Sequence, residues 1–152
     1  MPKYVPVSQV GVLLPHVKSL IALLAKVKTI DSNGRVVMAT GHANPQDHVL
    51  LAREARAQGV EVMLTHPSAA VTMDMKKEVA SLGGYIEVMA DFNQWGGDAK
   101  EKADYVAEVI KGVGPNTYCL DRTAGRWITP SRPTAMSSPR EPCGREVFLI
   151  VS

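Results

Sequence analysis

Cysteine, aromatic rings and surplus charge are all scarce in this 152-residue chain, and each scarcity removes a class of protein. Two cysteines, Cys119 and Cys143, are too few for a secreted disulfide scaffold, so a reduced, cytoplasmic setting is expected. With two phenylalanines, two tryptophans, four tyrosines and a net charge of +2, no basic patch has aromatics interleaved, and no nucleic-acid partner is expected. Leu20–Val27 is apolar but too short to cross a bilayer, and Lys18, Lys26 and Lys28 bracket it. No unbroken apolar segment with a small-residue cleavage site follows Met1, so no signal peptide and no membrane partner are expected. A Walker-type phosphate loop is missing, and Gly83-Gly84 and Gly96-Gly97 read as turns. No G-x-S-x-G elbow is present, which disfavours a serine hydrolase.

What is present is a regular alternation. Hydrophobic content of 45% and charged content of 21% suit one globular domain with a single core. Residues 5–14 are weakly strand-like, with Pro6 limiting pairing. Val17, Leu20, Ile21, Leu24 and Val27 recur at helical steps and predict a helix from Pro15 to Lys28. Strands follow at Arg35–Thr40, Val60–Thr65, Tyr85–Ala90 and Thr117–Leu120. Between them lie helices opened by Asn44-Pro45, by Thr72 and by Asp98, all good N-cap chemistry. Gly59 suits the left-handed position that ends the first of these. About four βα units joined by short connections predict an α/β fold with a parallel sheet.

Two histidines carry the functional signal. His42 follows the apolar strand Val36–Thr40, and His66 follows Val60–Thr65, each before a proline-containing turn. In parallel α/β sheets the carboxyl ends of strands collect ligands and active sites. Histidine is the commonest metal ligand, and two rings at equivalent strand ends are the start of a metal site or an acid–base pair. Each ring alone could simply cap the next helix. A catalytic zinc site commonly takes three protein ligands and a water. Glu87, a carboxylate inside an apolar strand, is costly to bury unless paired, and is therefore a candidate third ligand or general base. Asp91, just past the third strand, could serve as base, and Asp121 ends the fourth. His48 sits in a first helical turn and is expected on the helix surface; His16, at another helix start, is expected to have no role. Cys119, within a strand, reads as a buried inert thiol.

Val37-Met38-Ala39-Thr40-Gly41-His42, Val62-Met63-Leu64-Thr65-His66-Pro67 and Gly84-Tyr85-Ile86-Glu87 together resemble the middle strands of an amidohydrolase-like metal-dependent hydrolase of a poorly characterised bacterial branch. The resemblance covers roughly residues 24–120. It implies a (β/α)₈ barrel with divalent metal at the strand ends, zinc being the expected ion. It makes His42 and His66 the metal histidines of the fifth and sixth strands and puts Glu87 at a site position on the seventh. It further implies a small-molecule amide, ester, lactone or phosphoester substrate, with Glu87 or Asp91 as base. The family's H-x-H pair is missing, and a barrel needs about 250 residues, so this chain holds about half of one. The open edges of a half-barrel favour a homo-oligomer.

The chain changes character after Asp121. Residues 122–152 hold five arginines and no lysine, whereas residues 1–121 hold nine lysines and three arginines. The expected division is an α/β half-barrel-like domain over 1–121 and an irregular Arg/Pro-rich tail over 122–152. Synonymous codons for Thr123–Met136, read two bases on, recover the family's usual continuation. That makes the tail a candidate frameshift product and displaces Asp121 from the metal-aspartate role; the coding DNA tests it. Two other readings stay open: an inactive remnant acting as a binding or structural module, and an open flavodoxin-like sheet binding a small anion at the helix N-termini after Asn44 and Thr72.

Overall fold

The computed structural model describes residues 6–27, 36–89, 98–114, 117–122, 126–128 and 148–150. Strands β1 (Ser8–Gln9) and β2 (Val12–Leu13) form a small antiparallel hairpin. Its turn places Val10 and Gly11 at positive φ. Helix α1 spans Pro15–Leu24. It stops short of the Lys28 predicted from its spacing because Lys26 and Val27 donate to carbonyls three residues back, tightening the last turn, and Val27 is exposed.

The main sheet contains β3 (Val37–Ala39), β4 (Glu61–Leu64), β5 (Tyr85–Met89), β6 (Tyr118–Arg122), β7 (Arg126–Ile128) and β8 (Phe148–Ile150). Its spatial order is β7-β6-β5-β4-β3-β8. Neighbours from β8 through β3, β4 and β5 to β6 are parallel, and β7 returns antiparallel along β6. The expected α/β class and parallel pairing are therefore present. Among the described residues the sheet is open and does not close into a barrel. Strands β7 and β8 both come from the segment after Asp121; residues 129–147 lie outside the described residues.

Helices α2 (Pro45–Ala57), α3 (Met73–Ser81) and α4 (Ala99–Val113) follow β3, β4 and β5. Their starts are set locally. The side chains of Asn44, Thr72 and Asp98 accept from Asp47, Met75 and Lys100 amides at 2.8, 3.3 and 3.2 Å, satisfying donors that a helix start leaves unpaired. Gly59, at φ +77°, ends α2 in the left-handed conformation that glycine adopts without strain.

The core shows which face of the sheet the helices cover. Val17, Ile21 and Leu24 of α1, Leu51, Ala52 and Ala55 of α2, Val79 of α3 and Val109 of α4 all pack into one cluster. Met38, Val62, Leu64, Ile86 and Val88 supply the sheet's side of it. The alternate positions, Val37, Ala39 and Met63 with Tyr85, form a separate group on the other face. Glu87 shares the parity of Tyr85, so it stands on the face away from this helical layer, although its strand neighbours Ile86 and Val88 are core residues.

Candidate functional site

The register of the sheet brings the two strand-end histidines together. Val37, Met38 and Ala39 pair with Glu61, Val62 and Met63. The same offset, carried past the strand ends, sets His42 beside His66. The structure places His42 Nε2 3.0 Å from His66 Nε2. The rings meet edge to face, with centroids 4.9 Å apart and planes at 68°. His42 is exposed and His66 half-buried, so the pair lies open to solvent at the carboxyl edge.

The backbone makes unusual turns at both rings. Gly41, just before His42, has φ +65°, and His66 itself has φ +21°. Non-glycine residues with positive φ are uncommon and cluster where surrounding contacts hold them. At His66 the holding contact is Glu87. Its Oε2 accepts the His66 amide N–H at 2.8 Å and lies 3.3 Å from His66 Nδ1. Glu87 is 4% exposed, and its side chain meets the histidine as a buried acceptor. A carboxylate at Nδ1 draws the ring proton to that nitrogen and leaves Nε2 its lone pair. This is how proteins orient and strengthen metal-binding histidines.

A third histidine belongs to the site, and sequence reasoning put it elsewhere. His48 of α2, expected on the helix surface, is 3% exposed, and its Nδ1 lies 2.7 Å from Thr40 Oγ1. Burial lowers its pKa from 6.5 to about 4; Asp47 opposes the shift, and His42 and His66 add to it. The signal was available: His48, Leu51, Ala52 and Ala55 recur at helical spacing, so His48 falls on the buried stripe of α2. Asp47 is buried as well, accepting from Asn44 Nδ2 at 2.6 Å and from the Ser8 hydroxyl of β1.

The remaining sequence candidates lie on other elements or outside the described residues. His16 is exposed on α1. Asp121 lies in β6 with its backbone in register with Met89. Asp91, the candidate base, lies outside the described residues.

The donor set can be tested against a metal by distance. Two imidazole nitrogens on one tetrahedral zinc, each at about 2.0–2.1 Å, stand about 3.3 Å apart. The observed 3.0 Å is a few tenths of an ångström from that span. That separation is compatible with two ligands of one ion and equally with an N–H···N hydrogen bond between the rings. Among the described residues no group of three or more His, Cys, Asp or Glu is arranged to hold one. Glu87 meets His66 at Nδ1, on the ring edge away from His42. Nor is any helix among the described residues long and apolar enough to cross a membrane.

Residues 3–87 match a family of unknown function, DUF6282. That span runs from the β1–β2 hairpin into β5 and includes His42, His48, His66 and Glu87. No curated protein and no solved structure matches the chain.

Proposed function

The chain belongs to the DUF6282 family, and we propose that it is a metal-dependent hydrolase of amidohydrolase-like type. The observation that carries this reading is the 3.0 Å approach of His42 Nε2 and His66 Nε2, with Glu87 bonded to the back of His66. Without metal the pair is held by one N–H···N hydrogen bond, and a shared cation would take the place of that proton. A bound divalent ion, zinc by its fit to imidazole, would lower the pKa of a water and polarise a carbonyl or phosphoryl oxygen. His42 and His66 are its ligands in this reading. Glu87 holds the His66 ring and backbone in the binding orientation. Glu87 or Asp91 would act as base, and the missing ligands would come from a second subunit. The fold class is read as part of a (β/α)₈ barrel, because all four described helices share one core cluster on one face of the sheet. The substrate is a small-molecule amide, ester, lactone or phosphoester, and the chain is a cytoplasmic homo-oligomer.

Elemental analysis of the purified protein tests this. The reading expects one transition-metal ion per site, lost in a His42→Ala/His66→Ala double variant, and turnover within a panel of those four substrate classes that the same variant abolishes. Protein that retains no metal after reconstitution with zinc overturns it.

A further inference from the structure

Two threonine hydroxyls stitch together the strand ends that carry the histidine pair. Thr40 Oγ1 accepts the amide N–H of Thr65 at 3.2 Å, and Thr65 Oγ1 accepts the amide N–H of Gly41 at 3.0 Å. The bonds are reciprocal, and the amides they hold belong to the residues directly before His66 and His42. Thr40 is 1% and Thr65 8% exposed, so water does not compete for these bonds. Position at this edge of the sheet is therefore set by the hydroxyls as well as by the β3–β4 ladder.

The Thr40 hydroxyl also lies 2.7 Å from His48 Nδ1. A threonine hydroxyl offers one hydrogen and two lone pairs. The Thr65 amide occupies one lone pair, and His48 Nδ1 is the acceptor found for the hydrogen among the described residues. His48 is then the tautomer with its hydrogen on Nε2. Its ring fixes the direction of the Thr40 O–H, and with it the lone pair that Thr65 uses. Burial, which keeps this ring neutral down to about pH 4, leaves Nδ1 able to accept throughout the neutral range.

We propose that His48 is a positioning residue for the His42–His66 pair: acting through the Thr40 hydroxyl, it sets the separation of the two strand ends and so of the two ring nitrogens. Only the zinc arm of the test rests on the metal-binding reading above; the placement of the rings does not.

Four variants separate the positioning role from simple packing. His48→Leu and Thr40→Val remove the bond with little change in volume. His48→Asn returns an amide oxygen close to the place of Nδ1, and Thr40→Ser returns the hydroxyl. The first readout uses metal-free protein: the imidazole N–H shared between His42 and His66, seen by nitrogen-15 NMR near neutral pH. The second is the affinity for zinc alone, by calorimetry. The shared proton signal is expected in the wild type, His48→Asn and Thr40→Ser, and lost in His48→Leu and Thr40→Val. Zinc affinity is expected to fall about 10- to 100-fold in the latter two, as when other partners of metal-binding histidines are removed, and to be rescued by the conservative variants. Thr40→Val, which loses one hydroxyl and keeps its shape, decides the matter if His48→Leu fails to fold. A wild type without the shared proton, or folded His48→Leu and Thr40→Val proteins that keep it and bind zinc as the wild type does, overturns the proposal. A wild type that binds no zinc, but whose proton signal follows the four variants, retains the positioning role and removes the metal reading.

Discussion

Lys76 of α3 and His48 of α2 are equally hidden, each 3% exposed, yet the regions around them differ in kind. Around Lys76 the contacts are closed. Its Nζ donates to the Val71 carbonyl at 2.7 Å and lies 5.5 Å from the centre of the Tyr105 ring, and burial lowers its pKa against the opposing effect of Glu108. Such an arrangement satisfies an ionisable group and leaves nothing to bind. At the strand ends the hydrogen bonds lead from His48 through Thr40 to Thr65, and from Glu87 to His66. They end in two ring nitrogens that face one another at an open edge. A buried polar group is thus a poor marker of function by itself. The informative feature is a satisfied network whose last members are like groups turned together.

Four experiments test that contrast. The largest effect is expected from pH. His48 takes up its proton near 6.5 when unfolded and near 4 when folded, so stability from this group is complete above about pH 6.5. It declines as pH falls between the two values and is gone below about 4, a loss of up to about 3 kcal/mol. Urea midpoints measured across this range should show the decline, and His48→Asn should flatten it. A wild-type profile no steeper than the variant's contradicts the account.

The next effect is electrostatic. Glu87→Gln keeps the side chain's size and an acceptor for the His66 amide but removes the charge behind the ring. Zinc affinity should drop roughly 10- to 100-fold in calorimetry, with the fold intact by circular dichroism. Gly41→Ala comes third: a Cβ at φ +65° should cost about 1–2 kcal/mol, read as a lowered melting temperature. The smallest belongs to the closed region. Lys76→Met should change stability by no more than about 1 kcal/mol, because removing a desolvated ammonium offsets the hydrogen bond lost. It should leave zinc binding unchanged; a Lys76 variant that weakens zinc binding would erase the distinction between the two regions.

The parts of the molecule that sequence made legible are those governed by local chemistry. The caps Asn44, Thr72 and Asp98 act within three residues, and each opens the expected helix. His42 and His66 are readable as a pair because a constant parallel register carries sequence spacing over into spatial proximity. Glu87 was visible as an anomaly, a carboxylate among apolar residues. Which edge of which ring it meets depends on ring orientation, which no periodicity encodes. A first-turn polar residue usually faces water, whereas the stripe of α2 begins early enough to bury His48 against Thr40. The end of α1 was overrun because Val27 continues the helical spacing without gaining burial. Strands β7 and β8 were not legible as partners of β6 and β3, since pairing over such separations leaves no local mark.

Whether His42 and His66 grip one ion is measured directly by X-ray absorption at the zinc edge of the reconstituted protein. The predicted spectrum carries the multiple-scattering signature of two imidazoles at about 2.0 Å, reduced to one in a His42→Ala variant. An oxygen-only shell, or a spectrum unchanged by His42→Ala, contradicts it.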